Sequence, residues 1–368
     1  MEIQRVKKLI KGFFNPNKSV AQIRCALNNF GDIMTFKAIQ EMLWELTIIT
    51  FWSSGAKMQF FDSILGLDKL FKYSSLGGGT LIFAPRSSGW LTDLEFIIAR
   101  TIPLFTFGTG VIDPNFIDHL NEISGKKNLI DKSNIDEWIT CLKKFRLVSV
   151  RGVESQMLLR NVGFSNVEVV GDPGLWFSLD SIKERNIKKK IGINVSEYSH
   201  FWNNGQKKFI QKMTELLNIL LKDNWEITFF PTMFEDVCTS QGVASNLNSG
   251  ENIIYENYYD VKDYLKKLED QDLFVGVKLH SVIAACCAYT PAIMIGYQPK
   301  CYDFMKTMGL EDHFFRSDRF EVDEIYGKIN LMYKDIATIQ KKQFEACKLF
   351  KERLQNFGDR IMETVTGC

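Results

Sequence analysis

Four places in the chain put polar or ionisable residues directly after an apolar run: NNFGD at 28–32, LGGGT at 76–80, SVRGVES at 149–155 and VKLHS at 277–281. In parallel α/β structure these are carboxyl ends of strands, where helix N-termini offer free backbone N–H groups and ligands bind. His280 is the sharpest of them, because it follows LFVGVKL and precedes the apolar helical run SVIAACCAY. An imidazole there can donate a proton near neutral pH; a histidine that only caps or packs at the helix start fits the same position. Arg151 follows RLVSV at once and carries a guanidinium fork suited to phosphate or carboxylate, with a salt bridge inside its own lobe as the plainer reading. Lys300, in GYQPK after the strand run PAIMIGY, is another cation at a strand end, a place where a solvated lysine is also at home. Lys278 lies two residues before His280, a spacing that points both to one side of an extended strand. Together the three cations suggest an anionic ligand. His119, His200 and His313 lack the strand-end context and receive no role.

The triple glycine Gly77, Gly78 and Gly79 lets a backbone approach a ligand closely, but it matches neither G-x-G-x-x-G nor the P-loop pattern. Asp32 and Asp172 are loop carboxylates able to hold a sugar hydroxyl or accept a proton; helix capping by Asp32 and turn formation in GDPG explain them equally well. With Asn29 they are ranked as lining a site rather than as catalytic.

The elements that must position these residues alternate along the chain. Apolar runs such as VAQIRCAL, TIITFW, YSSLGGG, PLFTFGTG, RLVSVRG and VEVVGDP read as strands, with helical patterns such as IMTFKAIQEMLWEL, LTDLEFIIAR and IDEWITCLKKF among them. The charged run SIKERNIKKK lacks apolar periodicity and reads as a linker, after which the alternation restarts from IGINVS to PAIMIGY. At 368 residues the chain exceeds what one hydrophobic core usually serves. The expected organisation is a basic amphipathic segment over 1–18, a Rossmann-like domain over 19–180, a second over 188–322 and a helical segment over 323–368 that packs back on the first domain. The opening MEIQRVKKLIKGFF spaces apolar residues near the helical period with lysines and an arginine between them. It suits peripheral contact with an anionic membrane, although a helix folded back on its own lobe leaves the same pattern and is the plainer reading.

Composition removes several function classes. Lys+Arg of 45 against Asp+Glu of 44 leaves a formal net charge of +1, which supplies no chain-wide field for nucleic acid. The 8 cysteines show no C-x-x-C spacing, which argues against a zinc site and a disulfide framework and for a reducing compartment. No apolar run reaches the ~20 residues needed to span a bilayer and no secretory h-region opens the chain, so the expected location is the cytoplasm, at the inner face of the membrane if the first segment docks there.

The ordered set NNFGD, LGGGT, SVRGVES, VVGDPGL, VGVKLHSVIAACCAYTPAIMIGY and PKCYDFMKTMGL resembles the polysaccharide pyruvyl transferase family, from about Gln22 to about Leu310 and most specifically from His280 to Lys300. The resemblance implies α/β architecture of the GT-B type, two facing Rossmann-like domains, the first on the acceptor side and the second on the donor side. It implies phosphoenolpyruvate as donor, a glycan or lipid-linked sugar as acceptor, a pyruvate ketal as product, and neither cofactor nor metal. Carried over by motif, Arg151 opens the R-x-x-x-S segment, His280 is its R-L-H histidine and Lys300 is the lysine after its tyrosine; these handle the donor, with Lys278 and Ser281 beside them, and the catalytic pair is His280 as general acid with Arg151. The family's arginine before L-H is Lys278 here, which keeps the charge without the bidentate fork, and its acidic residue after the first arginine is Gly152. Two other readings stay open: a GT-B glycosyltransferase using a nucleotide sugar, and a non-catalytic glycan-binding descendant of the fold.

Overall fold

In a computed structural model, residues 16–23, 29–51, 62–63, 66, 69–116, 132–184, 187–197, 206–247, 253–255 and 260–366 are described. The basic amphipathic helix expected at the start falls on residues outside this set. The chain divides into two compact units: unit 1 holds residues 1–26, 35–173 and 352–368, and unit 2 holds 27–34 and 174–351.

Unit 1 is built on a four-stranded parallel sheet of β1 (Ser19–Ile23), β2 (Thr47–Phe51), β3 (Tyr73–Gly77) and β5 (Leu104–Phe107) in the order β2-β1-β3-β5. Two short parallel pairs extend it: β4 (Thr80–Ile82) with β6 (Gly110–Val111), and β7 (Ser149–Val150) with β8 (Glu168–Val169). The apolar run 103–110 is therefore not one strand: it stops at Phe107, turns at Gly108 with φ +58, and resumes at Gly110. A substituent on Gly108 would lie 2.5 Å from the Gly171 carbonyl, so this crossing tolerates no side chain.

Unit 2 carries a six-stranded parallel sheet of β9 (Lys190–Ile193), β10 (Glu226–Phe229), β11 (Ile253–Tyr255), β12 (Leu273–Gly276), β13 (Ala292–Gly296) and β14 (Phe314–Arg316) in the order β11-β10-β9-β12-β13-β14. Renumbered within the unit this is 3-2-1-4-5-6, the Rossmann order, whose direction reverses between β9 and β12. β12 and β13 are buried at every position, as their unbroken apolar sequences require of strands covered on both faces. The covering helices show why they form. Gln206–Lys222 buries Phe209, Met213, Leu216, Leu217 and Leu220, one stripe at helical spacing, and Val261–Glu269 buries Val261, Tyr264, Leu265 and Leu268 behind an N-cap in which Asp260 accepts from the Asp263 N–H.

The final helix, Ile336–Thr366, is 31 residues long. Its residues to Lys351 belong to unit 2; from Glu352 they belong to unit 1, where Arg360 pairs with Glu168 at 2.8 Å and Phe357 meets Phe107 edge to face. The boundary between Pro173 and Gly174 lies ahead of the charged run read as a linker, because Lys188 and Lys190 donate their N–H groups to Asp272 and tie that run into unit 2. Among the described residues no helix is long and apolar enough to cross a membrane.

Candidate active site

In unit 2, β12 ends at Gly276, and Lys278 is the N-cap of the helix Leu279–Cys287. His280 is thus the second residue of a helix rather than the end of a strand, and the alternation of an extended strand does not relate it to Lys278. Gly276 is needed here, since a Cβ would come within 2.8 Å of the Ser281 hydroxyl and 2.7 Å of Val282. Ser281, expected beside the donor, is buried and donates its hydroxyl to the Lys278 carbonyl at 2.7 Å, which shapes the helix start.

The half-buried imidazole of His280 rests on Gly31: a Cβ on that glycine would sit 2.2 Å from Nδ1 and 2.6 Å from Cγ. Gly31 is the second residue of the helix Phe30–Met42, entered through Asn29, whose Oδ1 accepts from the Asp32 N–H at 2.9 Å while its amide donates to the Asp32 carboxylate at 2.7 Å. The cap is therefore Asn29, and the Asp32 carboxylate braces it through its side-chain amide rather than capping the helix itself. Burial pushes the Asp32 carboxyl above the ordinary value, against the opposing pull of His280, the Asn29 amide and Lys300. Asn29 and Asp32, expected on the first lobe, belong to unit 2 and stand with His280.

Lys300 is the second residue of the helix Pro299–Thr307, and its ammonium lies 4.9 Å from the ring centroid of Tyr297; the Lys278 ammonium lies 5.7 Å from the same ring. Two like charges share one nearly buried aromatic ring, an arrangement suited to an anion held by both. Tyr297 entered the sequence reading only as the tyrosine ahead of Lys300 and was given no role of its own. Asn194 was also missed: it follows β9 in IGINVS, is fully buried, and accepts the Lys278 N–H at 2.8 Å. Its signal was a polar side chain at the inner end of an apolar strand, and its meaning depends on β9 lying beside β12.

In unit 1, Arg151 follows β7 and is 1% exposed, with Nη1 3.6 Å from the Asp172 carboxylate, itself fully buried. Gly110 makes room for it, since a Cβ there would lie 2.9 Å from Nε. The in-lobe ion pair is present, yet none of the three guanidinium nitrogens makes a hydrogen bond among the described residues. A buried guanidinium in that state has donors to offer an anion. Gly77, Gly78 and Gly79 are each packed against the protein's own chain, and a Cβ on Gly79 would meet the Leu81 side chain at 2.7 Å. Gly78 turns with φ +81, where a Cβ would meet Thr35 Oγ1 at 2.8 Å, and the Gly79 carbonyl accepts from Gly110 N–H at 2.8 Å. The structure thus groups Asn29, Asp32, Lys278, His280, Ser281 and Lys300 in unit 2, and Gly77 to Gly79, Arg151 and Asp172 in unit 1.

Solved structures of similar fold include a UDP-N-acetylglucosamine 2-epimerase from Listeria monocytogenes (9% identity, TM-score 0.62, 95% of each chain covered) and MnaA from S. aureus in a co-structure with UDP (10%, 0.60, 95% of this chain and 97% of that one). A UDP-GlcNAc 2-epimerase from Methanocaldococcus jannaschii is similar at 10% identity and TM-score 0.55, over 86% of this chain and 92% of that one. At such identities the likeness bears on fold alone, an α/β chain of GT-B type with two Rossmann-like units and a helical C-terminal region. No curated protein matches the chain in sequence. The sequence profile of the polysaccharide pyruvyl transferase family matches residues 29–299, a span that begins at the Asn29 cap and takes in Arg151, His280 and the helix start before Lys300, and the chain belongs to that family.

Proposed function

We propose that the chain moves the enolpyruvyl group of phosphoenolpyruvate onto two hydroxyls of a sugar in a polysaccharide or its precursor, forming a pyruvate ketal and releasing phosphate. The observation that carries this reading is the grouping of His280, Lys278, Lys300 and Tyr297 at strand ends of unit 2, beside the point where its strand order reverses, with Asp32 from the start of the helix Phe30–Met42.

The chemistry assigns each residue a task. His280 delivers a proton to the methylene carbon of the donor, the CH₂ becomes CH₃, and the adjacent carbon accepts the first sugar hydroxyl. The proton shed by that hydroxyl restores the acid. The carbon–oxygen bond to phosphate then breaks, the second hydroxyl closes the ketal, and its proton leaves with the phosphate. General acid–base catalysis of this kind contributes roughly 10²–10⁴-fold. Lys278 and Lys300 hold the anionic groups of the donor and stabilise the charge that departs with phosphate. The lysine in place of the family arginine supplies charge without a fork, and the shared ring of Tyr297 restricts where that charge can lie. Arg151 is assigned anion binding by its family motif, supported by its buried donors.

The test is incubation with phosphoenolpyruvate and a library of sugar acceptors, followed by phosphate release and by the mass of the acceptor. The expected result is stoichiometric phosphate with a pyruvate ketal adduct, lost in His280→Ala. Transfer from a nucleotide sugar without phosphoenolpyruvate would replace this reading with glycosyl transfer. Sugar binding without turnover of any donor would leave a glycan-binding protein.

A further inference from the structure

We propose that Asp236, acting through Asn194 and Thr232, is the positioning residue of this site: one buried carboxylate fixes both backbone segments that carry the imidazole and its neighbours. Asp236 is fully buried and is the third residue of the helix Phe234–Ala244. Its Oδ2 accepts from the Thr232 N–H at 2.9 Å, from the Thr232 hydroxyl at 2.6 Å and from the Asn194 amide at 3.4 Å.

Two branches leave this carboxylate. In the first, Asn194 Nδ2 also donates to the Phe230 carbonyl at 2.9 Å, and Asn194 Oδ1 accepts from the N–H groups of Lys278 at 2.8 Å and Val277 at 3.4 Å. That sets the start of the helix bearing His280. In the second, the Thr232 carbonyl accepts the N–H of Phe30 at 2.8 Å, and the next residue, Gly31, is the one on which the imidazole rests. Tyr264 supports the same branch, stacking on Phe30 at 4.2 Å between centroids and donating its hydroxyl to the Phe230 carbonyl at 3.1 Å.

The segment 30–32 and the segment 277–280 are far apart in sequence and come from different strand ends. Their spacing decides whether Asp32 and His280 meet. Three donors and a helix N-terminus make Asp236 a stable acceptor at full burial. Because the carboxylate lies behind the backbone rather than in the site, its effect on chemistry is exerted through Lys278 and Gly31.

The experiment follows the ring proton signals of the 4 histidines by NMR, with His280 assigned from its loss in His280→Gln. Asn194→Ala and Asp236→Asn should move the His280 signal while the other three stay, and should lower turnover about tenfold, as expected of a sub-ångström misplacement. Thr232→Val, which keeps shape and removes only the hydroxyl bond, should move the same signal less and guards against a variant that fails to fold. Thr290→Val is the control: it deletes an equally buried bond, from Thr290 Oγ1 to the Leu268 carbonyl at 2.7 Å, at the opposite end of the sheet. A His280 signal and turnover that respond to Asn194→Ala, Asp236→Asn and Thr232→Val no more than to Thr290→Val would overturn the inference. Its consequence for turnover rests on the pyruvyl transfer reading, whereas the NMR result does not; a parent protein inactive with phosphoenolpyruvate would fault that reading and leave the NMR result to decide this one.

Discussion

Gly31→Ala separates the chemistry of the site from the stability of the fold. Gly31 lies in the first turn of a helix with no positive φ, so alanine meets no backbone strain, and the loss of unfolded-chain freedom favours it over glycine by about 0.4–1 kcal/mol. The added methyl, however, would stand 2.2 Å from His280 Nδ1, 2.6 Å from Cγ and 2.8 Å from Cε1. That first distance is about 1.2 Å short of an ordinary contact, so the ring must give way by about that much, and a misplacement of ~1 Å at a reacting group costs on the order of 100-fold in rate. The expected outcome is a melting temperature equal to the parent's or higher, with phosphate release from phosphoenolpyruvate down about 100-fold. Gly327→Ala gives the comparison, since Gly327 is also helical and a Cβ there meets nothing within 4 Å; it should gain stability and keep full turnover. A Gly31→Ala enzyme within about twofold of the parent would refute the role given to the imidazole, because a group that can move so far without consequence is not delivering a proton to a fixed carbon.

Other outcomes can be measured in parallel. Arg151→Ala should lower stability by about 3–5 kcal/mol in denaturant melts by leaving Asp172 buried and charged, and Arg151→Ala with Asp172→Ala should recover part of that loss. His313 is held down to about 4 by burial and by Lys328 and Lys342, so its neutral form is favoured on folding; stability should fall as pH drops from about 6.5 toward 4, and His313→Gln should lack that part of the slope. Burial raises the thiol of Cys286 and pushes that of Cys347 up to about 12, so peptide-resolved alkylation at neutral pH should label exposed Cys238 quickly and reach Cys286 and Cys347 only on unfolding.

What the sequence disclosed depended on whether a residue's meaning was local. LFVGV and AIMIG announce strands covered on both faces, because such burial leaves no polar position in the run, and the first residues after them are exposed as site candidates by that contrast. His280 and Lys300 were legible for this reason. Asn29 and Asp32 were read with the first lobe because chain order was the only guide; their membership of unit 2 follows from contacts such as the Phe30 N–H to the Thr232 carbonyl, which no local pattern encodes. The triple glycine shows the limit from the other side, since a lack of side chains signals close approach without saying whether a ligand or the protein's own chain approaches, and at Gly78 it is Thr35 that lies close.

The same distinction explains how a lysine can stand at the family's arginine position. A guanidinium carries its own directionality, since its fork fixes where a carboxylate or phosphate must lie, whereas an ammonium on a four-carbon stem does not. At Lys278 the direction is supplied from outside the side chain: its backbone N–H is held by Asn194, its carbonyl by the Ser281 hydroxyl, and its charge lies over Tyr297 opposite the claim of Lys300 on the same ring. Tyr297→Leu should therefore weaken phosphoenolpyruvate binding several-fold, in the range of about 0.5–2 kcal/mol for a cation–π contact, while Tyr297→Phe stays close to the parent. Equal losses in the two variants would shift the role from the ring to the hydroxyl, and no loss in either would mean that Lys278 places its charge without help from the aromatic ring.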